Sequence, residues 1–167
     1  MNCIEIKEIF SAQIEEYKTL LAEGLQHGEE TLLITAEENS LAAFPTKDSA
    51  DSFTLGAYSN HVLAGVASFI RDGEDRTKLK HKGILSTMYV SNAFRGLGIA
   101  RQLLEAIIQR VKMNTGIEQI NLIVLSDNER AKQLYQKFGF KKYGTELRSI
   151  KWNGNYYDED QMVLFLQ

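Results

Sequence analysis

The sequence predicts one α/β domain built on a mixed sheet, and three observations carry that prediction. Short runs rich in β-branched and aromatic residues alternate with segments whose apolar residues return every three or four positions. The strand-like run at 84–90 leads through Arg95-Gly96-Leu97-Gly98-Ile99-Ala100 directly into one of those helical segments. A chain of 167 residues is long enough for one sizeable core and short for two.

Taken in order, Ile4, Ile6 and Ile9 alternate with Glu5, Lys7 and Glu8 as a short first strand. Ser11 offers a cap for a helix carrying Ile14, Tyr17, Leu20, Leu21 and Leu25 on one face, with Gly28 as its end. A short apolar piece at 31–35 precedes a second helical segment around Glu37 and Glu38, which Pro45 breaks. Residues 52–59 and 62–71 read as two strands joined by a tight turn at Asn60-His61. Arg76, Lys78, Lys80, His81 and Lys82 crowd the segment 72–82, which reads as a solvated hairpin loop. Its position ahead of the central strand leaves a ligand-facing alternative open.

The central strand contains Ile84, Leu85, Met88, Tyr89 and Val90, and the helix after it buries Leu103, Leu104, Ile107, Ile108 and Val111. Gly116 ends that helix. The run 117–125 is so apolar that it predicts a strand covered on both faces. Ser126-Asp127-Asn128 then starts a helix with Ala131, Leu134, Tyr135 and Phe138 on its inner face and Gly139 at its end. Residues 140–150 and 156–166 form a closing hairpin around Asn153-Gly154.

Composition bounds the function. A formal charge of −3 argues against a dedicated nucleic-acid binder. The apolar run at 62–70 is far short of the roughly 20 residues a membrane helix needs. Charged residues at 5, 7 and 8 interrupt any apolar leader, so a soluble, cytoplasmic protein is expected. Cys3 is the only cysteine; it excludes an internal disulfide, fits a reducing compartment, and reads as a small buried residue. Three scattered histidines and that cysteine give no metal-ligand spacing, so no metal is expected.

The turn at 95–100 suits a phosphate. A helix N-terminus presents N–H groups without intrahelical partners and a partial positive charge. Gly96 and Gly98 let a ligand approach the backbone, and Arg95 adds a formal charge. A dinucleotide fingerprint is excluded because Arg101 stands where its third small residue belongs, and no Gly-Lys-Ser/Thr closes a P-loop. The alternative reading is an ordinary strand-to-helix turn.

Two motifs carry a family resemblance. Arg95, Gly98 and Ala100 match the Arg/Gln-x-x-Gly-x-Gly/Ala pattern of the GNAT N-acetyltransferases. Val124, Asn128, Ala131, Leu134, Tyr135, Phe138, Gly139 and Phe140 resemble the same family's second block, after the next strand. The resemblance implies a GNAT-like fold over 1–167, with a mixed sheet of about seven strands, a splayed central strand pair and about four helices. It implies an acetyl-CoA-binding core at 84–140 and a variable acceptor-side segment at 1–50.

The same resemblance implies that acetyl-CoA is the cosubstrate. Its pantetheine arm would pair with the backbones of Met88 and Val90, and its pyrophosphate would sit on the N–H groups of Arg95, Gly96, Gly98, Ile99 and Ala100, with the Ile99 side chain packed inward. Asn128 is either a contact to the CoA arm or a helix cap, and both readings are compatible. Tyr135 is either the general acid that protonates the departing thiolate or a core aromatic. Many relatives carry a basic glutamate where Ser86 and Thr87 stand here, so the acceptor side and the base fall to Glu37, Glu38, His81, Asp158, Glu159 or a water chain. The implied reaction is direct acetyl transfer to a primary amine of a small molecule or peptide end, in a monomer or homodimer. A non-catalytic acyl-CoA-binding regulator and a ribosomal-protein or peptide N-acetyltransferase are the alternatives.

Overall fold

A computed structural model of the chain describes residues 4–26, 33–73, 75–113 and 116–166. The elements are β1 (Ile4–Ile9), α1 (Ile14–Gln26), α2 (Ala36–Leu41), β2 (Ser52–Ser59), β3 (Val62–Arg71), β4 (Lys82–Val90), α3 (Ile99–Lys112), β5 (Gln119–Leu125), α4 (Glu129–Lys137), β6 (Lys141–Trp152) and β7 (Asn155–Phe165). The strands form one seven-stranded mixed sheet in the order β1-β2-β3-β4-β5-β7-β6. The parallel β4–β5 ladder holds only the pairs Lys82–Gln119, Gly83–Ile120 and Ile84–Asn121. β4 itself runs to Val90 and β5 to Leu125.

Contacts group the described residues into two units, one from 1–70 with 85–115 and one from 71–84 with 116–167. In the first, Ile9, Tyr17, Leu20, Leu21, Leu63, Val66 and Tyr89 form a core, with Ile34, Phe44 and Tyr58 packed against it. α3 buries the predicted stripe of Leu103, Leu104, Ile107, Ile108 and Val111, and adds Ile99. Arg110, near its end, lies 3.8 Å over the Phe53 ring and forks onto Glu8 at 2.7 and 3.0 Å. Three buried hydroxyls form a short chain, Thr46 with Thr54 and Thr54 with Ser68, each at 2.9 Å. The Asn60-His61 turn forms as expected, both residues taking positive φ (49° and 67°).

The sequence reading is corrected at the start of α1. Ser11 opens a 3₁₀ turn, Ser11–Gln13, and does not cap the helix; its hydroxyl binds Asp48 Oδ2 at 2.5 Å. Cys3, Gly28 and the first two residues of the 31–35 piece lie outside the described residues.

Gly65 on β3 sets how closely β4 approaches. A Cβ there would stand 2.9 Å from the Tyr89 carbonyl oxygen and 3.1 Å from both Ile99 Cγ2 and Val90 Cγ2. A backbone oxygen has little room to give way, so Gly65→Ala should cost about 1–3 kcal/mol of stability, read as a lower midpoint in urea unfolding.

In the second unit β7 pairs antiparallel with β5 over Gln119–Leu125 and with β6 along most of its length. β5 departs from expectation. Ile120, Leu122 and Val124 are buried, but Ile123 on the opposite face is 54% exposed. The strand alternates from Gln119 to Val124, with Leu125 buried again at its end, and an apolar side chain on the open face hides that period from a composition reading. The 72–82 loop is closed at its base by the Asp72 N–H on the Lys82 carbonyl (2.9 Å) and by the Lys82–Asp72 ion pair (3.4 Å). Arg76, Lys78 and Lys80 stand exposed on it.

Candidate active site

The turn after β4 is held from behind. Ser91 is buried; its N–H donates to the Ala64 carbonyl (2.9 Å) and its hydroxyl to Glu23 on α1 (2.7 Å). A 3₁₀ turn, Asn92–Phe94, follows, and then Gly96 and Gly98 with φ of 83° and 75°. Nothing lies within 4 Å of where a Cβ would project from either glycine. That left-handed backbone is cheap only for glycine, and the open space above it is what a ligand lying against the backbone needs.

Gly98 caps α3 without a side chain, so the N–H groups of the first turn gain no side-chain acceptor from it. That turn contains no acidic residue, unlike the first turns of α1, α2 and α4, and Arg95 and Arg101 stand exposed around it. Dipole and formal charges therefore add with one sign, in favour of an anion. Ile99 is 1% exposed, packed inward as expected. Ala100 is half-buried behind it. On β4, Met88 and Val90 are half-buried on either side of the buried Tyr89, and Arg95 Nε donates to the Val90 carbonyl at 3.4 Å.

The other candidates cluster on α4 and β7. Asn128 is the N-cap of α4, its side-chain oxygen accepting from the Ala131 N–H at 3.2 Å. Tyr135, two turns on, is 6% exposed with its ring 5.7 Å from that of Phe140. Its carbonyl takes the N–H groups of Phe138 (3.0 Å) and Phe140 (3.1 Å) where the helix ends. Burial pushes its hydroxyl pKa up to about 12. The phenol is therefore fully protonated at neutral pH, the state a proton donor needs.

The acceptor-side candidates are scattered. Glu37 and Glu38 are exposed on α2, and Glu38 completes a capping box, its carboxylate accepting from the Thr35 N–H at 2.6 Å. His81 is half-buried, and its carbonyl accepts from the Glu118 N–H at 2.7 Å. Asp158 accepts from the Arg148 N–H at 2.7 Å, where β6 takes a positive φ of 55°. Glu159 is buried and takes a hydrogen bond from the Ser149 hydroxyl.

One polar centre went unread in the sequence. Asp160 is 1% exposed, and its carboxylate meets Ser126 Oγ (2.7 Å), Lys142 Nζ (2.8 Å), Thr145 Oγ1 (2.9 Å) and Lys132 Nζ (3.4 Å). The signal was available: Asp160 is in phase with the buried Met162, two residues along the same strand. Burial raises the Asp160 pKa, but the bonds from Lys142, Ser126 and Thr145 and the Lys142 charge outweigh it and hold the carboxyl well below its usual range. A carboxylate depressed in the folded state stabilises above its unfolded pKa, and that contribution fades as pH falls toward the folded value. The melting-temperature gap between wild type and Asp160→Asn should thus be widest at neutral pH and narrow below about pH 4.

With this geometry in view, comparison with known proteins is decisive. The acetyltransferase (GNAT) family profile matches residues 8–140. The chain belongs to the GNAT acetyltransferases. N-alpha-acetyltransferase 30 of Schizosaccharomyces pombe is 31% identical over 91 residues, 54% of this chain and 59% of that protein, so the match spans little more than half of the relative's length. Solved GNAT-type structures share the fold over nearly the whole chain. A GNAT-family acetyltransferase from Streptococcus pneumoniae superposes with a TM-score of 0.80 at 23% identity, covering 99% of this chain and all of that one. The Salmonella typhimurium protein yncA, solved with its cofactor acetyl-CoA, gives 0.79 at 18% identity, covering 99% and 95%. Among the described residues no helix is long and apolar enough to cross a membrane, and no three metal-ligating side chains cluster.

Proposed function

We propose that this GNAT chain is an acetyl-CoA-dependent N-acetyltransferase that passes the acetyl group directly to a primary amine. The observation that carries the reading is the turn at 95–100: two left-handed glycines with open space above them, two exposed arginines, and a helix N-terminus without acidic residues. The N–H groups of Gly96, Gly98, Ile99 and Ala100 hold the pyrophosphate, and Arg95 adds charge to that hold. The backbones of Met88 and Val90 pair with the pantetheine arm as an added strand would. When bound, acetyl-CoA supplies the activated thioester. Tyr135 keeps its proton at Oη and gives it to the departing sulfur, and the proton shed by the attacking amine returns to the Tyr135 oxygen through water. The chain orients the two reactants, and no acetyl group is carried on the protein.

The acceptor we favour is the α-amino end of a peptide; a partial match to the N-alpha-acetyltransferase of fission yeast supports that reading. An acceptor role for Glu37, Glu38, His81, Asp158 or Glu159 stays within this proposal; the bonds of Glu38, Asp158 and Glu159 give those carboxylates a structural task as well. The single cysteine fits a cytoplasmic setting.

Thiol release from acetyl-CoA, followed over a panel of free-end peptides, the same peptides with blocked ends, polyamines and amino acids, tests the acceptor class. Turnover confined to free-end peptides is the expected result. Turnover with polyamines or amino acids alone would replace the peptide reading with the small-molecule one.

A further inference from the structure

The buried carboxylate of Asp160 has a task that the reaction scheme above does not use. Its partners come from three elements: Lys142 and Thr145 from β6, Ser126 from the residues leading into α4, and Lys132 from α4 itself. Lys132 Nζ also donates to the Ser126 carbonyl at 2.5 Å and pairs with Glu129 at 2.6 Å. Its ammonium therefore ties the helix to the strand end below and to Asp160 beside it. Tyr135 stands three residues after Lys132, one helical turn away. α4 has only nine residues, and its own cap is a single Asn128 bond, so the orientation of Tyr135 depends on what holds its first turn.

The geometry points to Asp160 as a positioning residue for Tyr135, acting through Lys132 and Ser126 to fix the rotation and depth of α4. The inference rests on the reading of Tyr135 as proton donor. A proton donor must meet the departing atom at hydrogen-bond distance, and a displacement of about 1 Å can cost about 10²-fold in rate. Replacing Asp160 by Asn removes the charge that holds Lys132 and leaves two ammonium groups, Lys132 and Lys142, beside a neutral amide. Lys132→Met cuts the same link from the helix side and leaves Asp160 its bonds from Ser126, Thr145 and Lys142.

The test is a double-mutant cycle on kcat, with Tm and acetyl-CoA affinity measured on each protein. Asp160→Asn and Lys132→Met should each lower kcat by about 10–100-fold while acetyl-CoA affinity holds. Placed on Tyr135→Phe, each should change kcat by less than about twofold, because the group they position is gone. If Asp160→Asn does not fold, Lys132→Met alone decides the question. Losses that multiply in full on the Tyr135→Phe background would overturn the inference and leave the proton-donor reading intact, as would wild-type kcat in the folded single variants. Wild-type turnover in Tyr135→Phe itself, with chemistry rate-limiting, would overturn the proton-donor reading and this inference with it.

Discussion

Tyr135→Phe should lose about 10²–10⁴-fold in turnover, the range general acid catalysis supplies, while binding acetyl-CoA as tightly as wild type. The substitution keeps the ring against Phe140 and removes only the hydroxyl. Melting should move by no more than the roughly 1 kcal/mol of an ordinary hydrogen bond, a few degrees for a protein of this size. Because burial holds the phenol near a pKa of 12, wild-type turnover should show no alkaline loss from Tyr135 itself until that region is approached. A tyrosine that merely fills space predicts the opposite pattern, with melting lowered and turnover nearly intact. Measuring both on one preparation separates the two, provided single-turnover kinetics show that chemistry limits the rate.

Gly98→Glu should abolish acetyl-CoA binding. Saturation at about 100 times Kd stabilises a folded protein by about 2.7 kcal/mol, which for 150–250 residues raises Tm by about 5–11 °C. The variant should show none of that shift, because a carboxylate would occupy the space the phosphate needs and oppose its charge. Backbone strain is a competing explanation, since Gly98 has φ of 75° and a side chain there costs about 1–2 kcal/mol. Gly154→Glu controls for it: Gly154 has φ of 81° in the β6–β7 turn, with nothing within 4 Å of a Cβ. That variant should start from a lower Tm and keep the full shift. A full shift in Gly98→Glu would detach the turn from ligand binding.

How much of this was legible before the structure depended on whether the physics was local. The β2–β3 hairpin, the stripe on α3 and the glycine turn are each written in a few adjacent residues, and each formed at the expected positions. Ser11 was misread because its partner, Asp48, lies 37 positions away in sequence and outbids the helix end for its hydroxyl. Ile123 was misread because cover is a property of neighbours and not of the strand. For Asp160 the strand phase was legible but the partners were not: two lysines, a serine and a threonine from separate segments make a buried carboxylate tolerable. Features held by backbone conformation, such as the left-handed turn at Gly96 and Gly98, were within reach of sequence reading. The bonds that occupy Glu38, Asp158 and Glu159 were not, since exposed-looking carboxylates in a sequence carry no mark of their partners.

The central claim is acetyl transfer to an amine, and mass spectrometry of a free-end peptide incubated with the protein and acetyl-CoA tests it most directly. The account predicts peptide acetylated on its α-amine in amounts equal to the CoA released, with no acetyl group left on the protein. Acetyl-CoA recovered intact from a protein that calorimetry shows to bind it, across peptides, polyamines and amino acids alike, would contradict the account and make the chain an acyl-CoA-binding protein without catalysis.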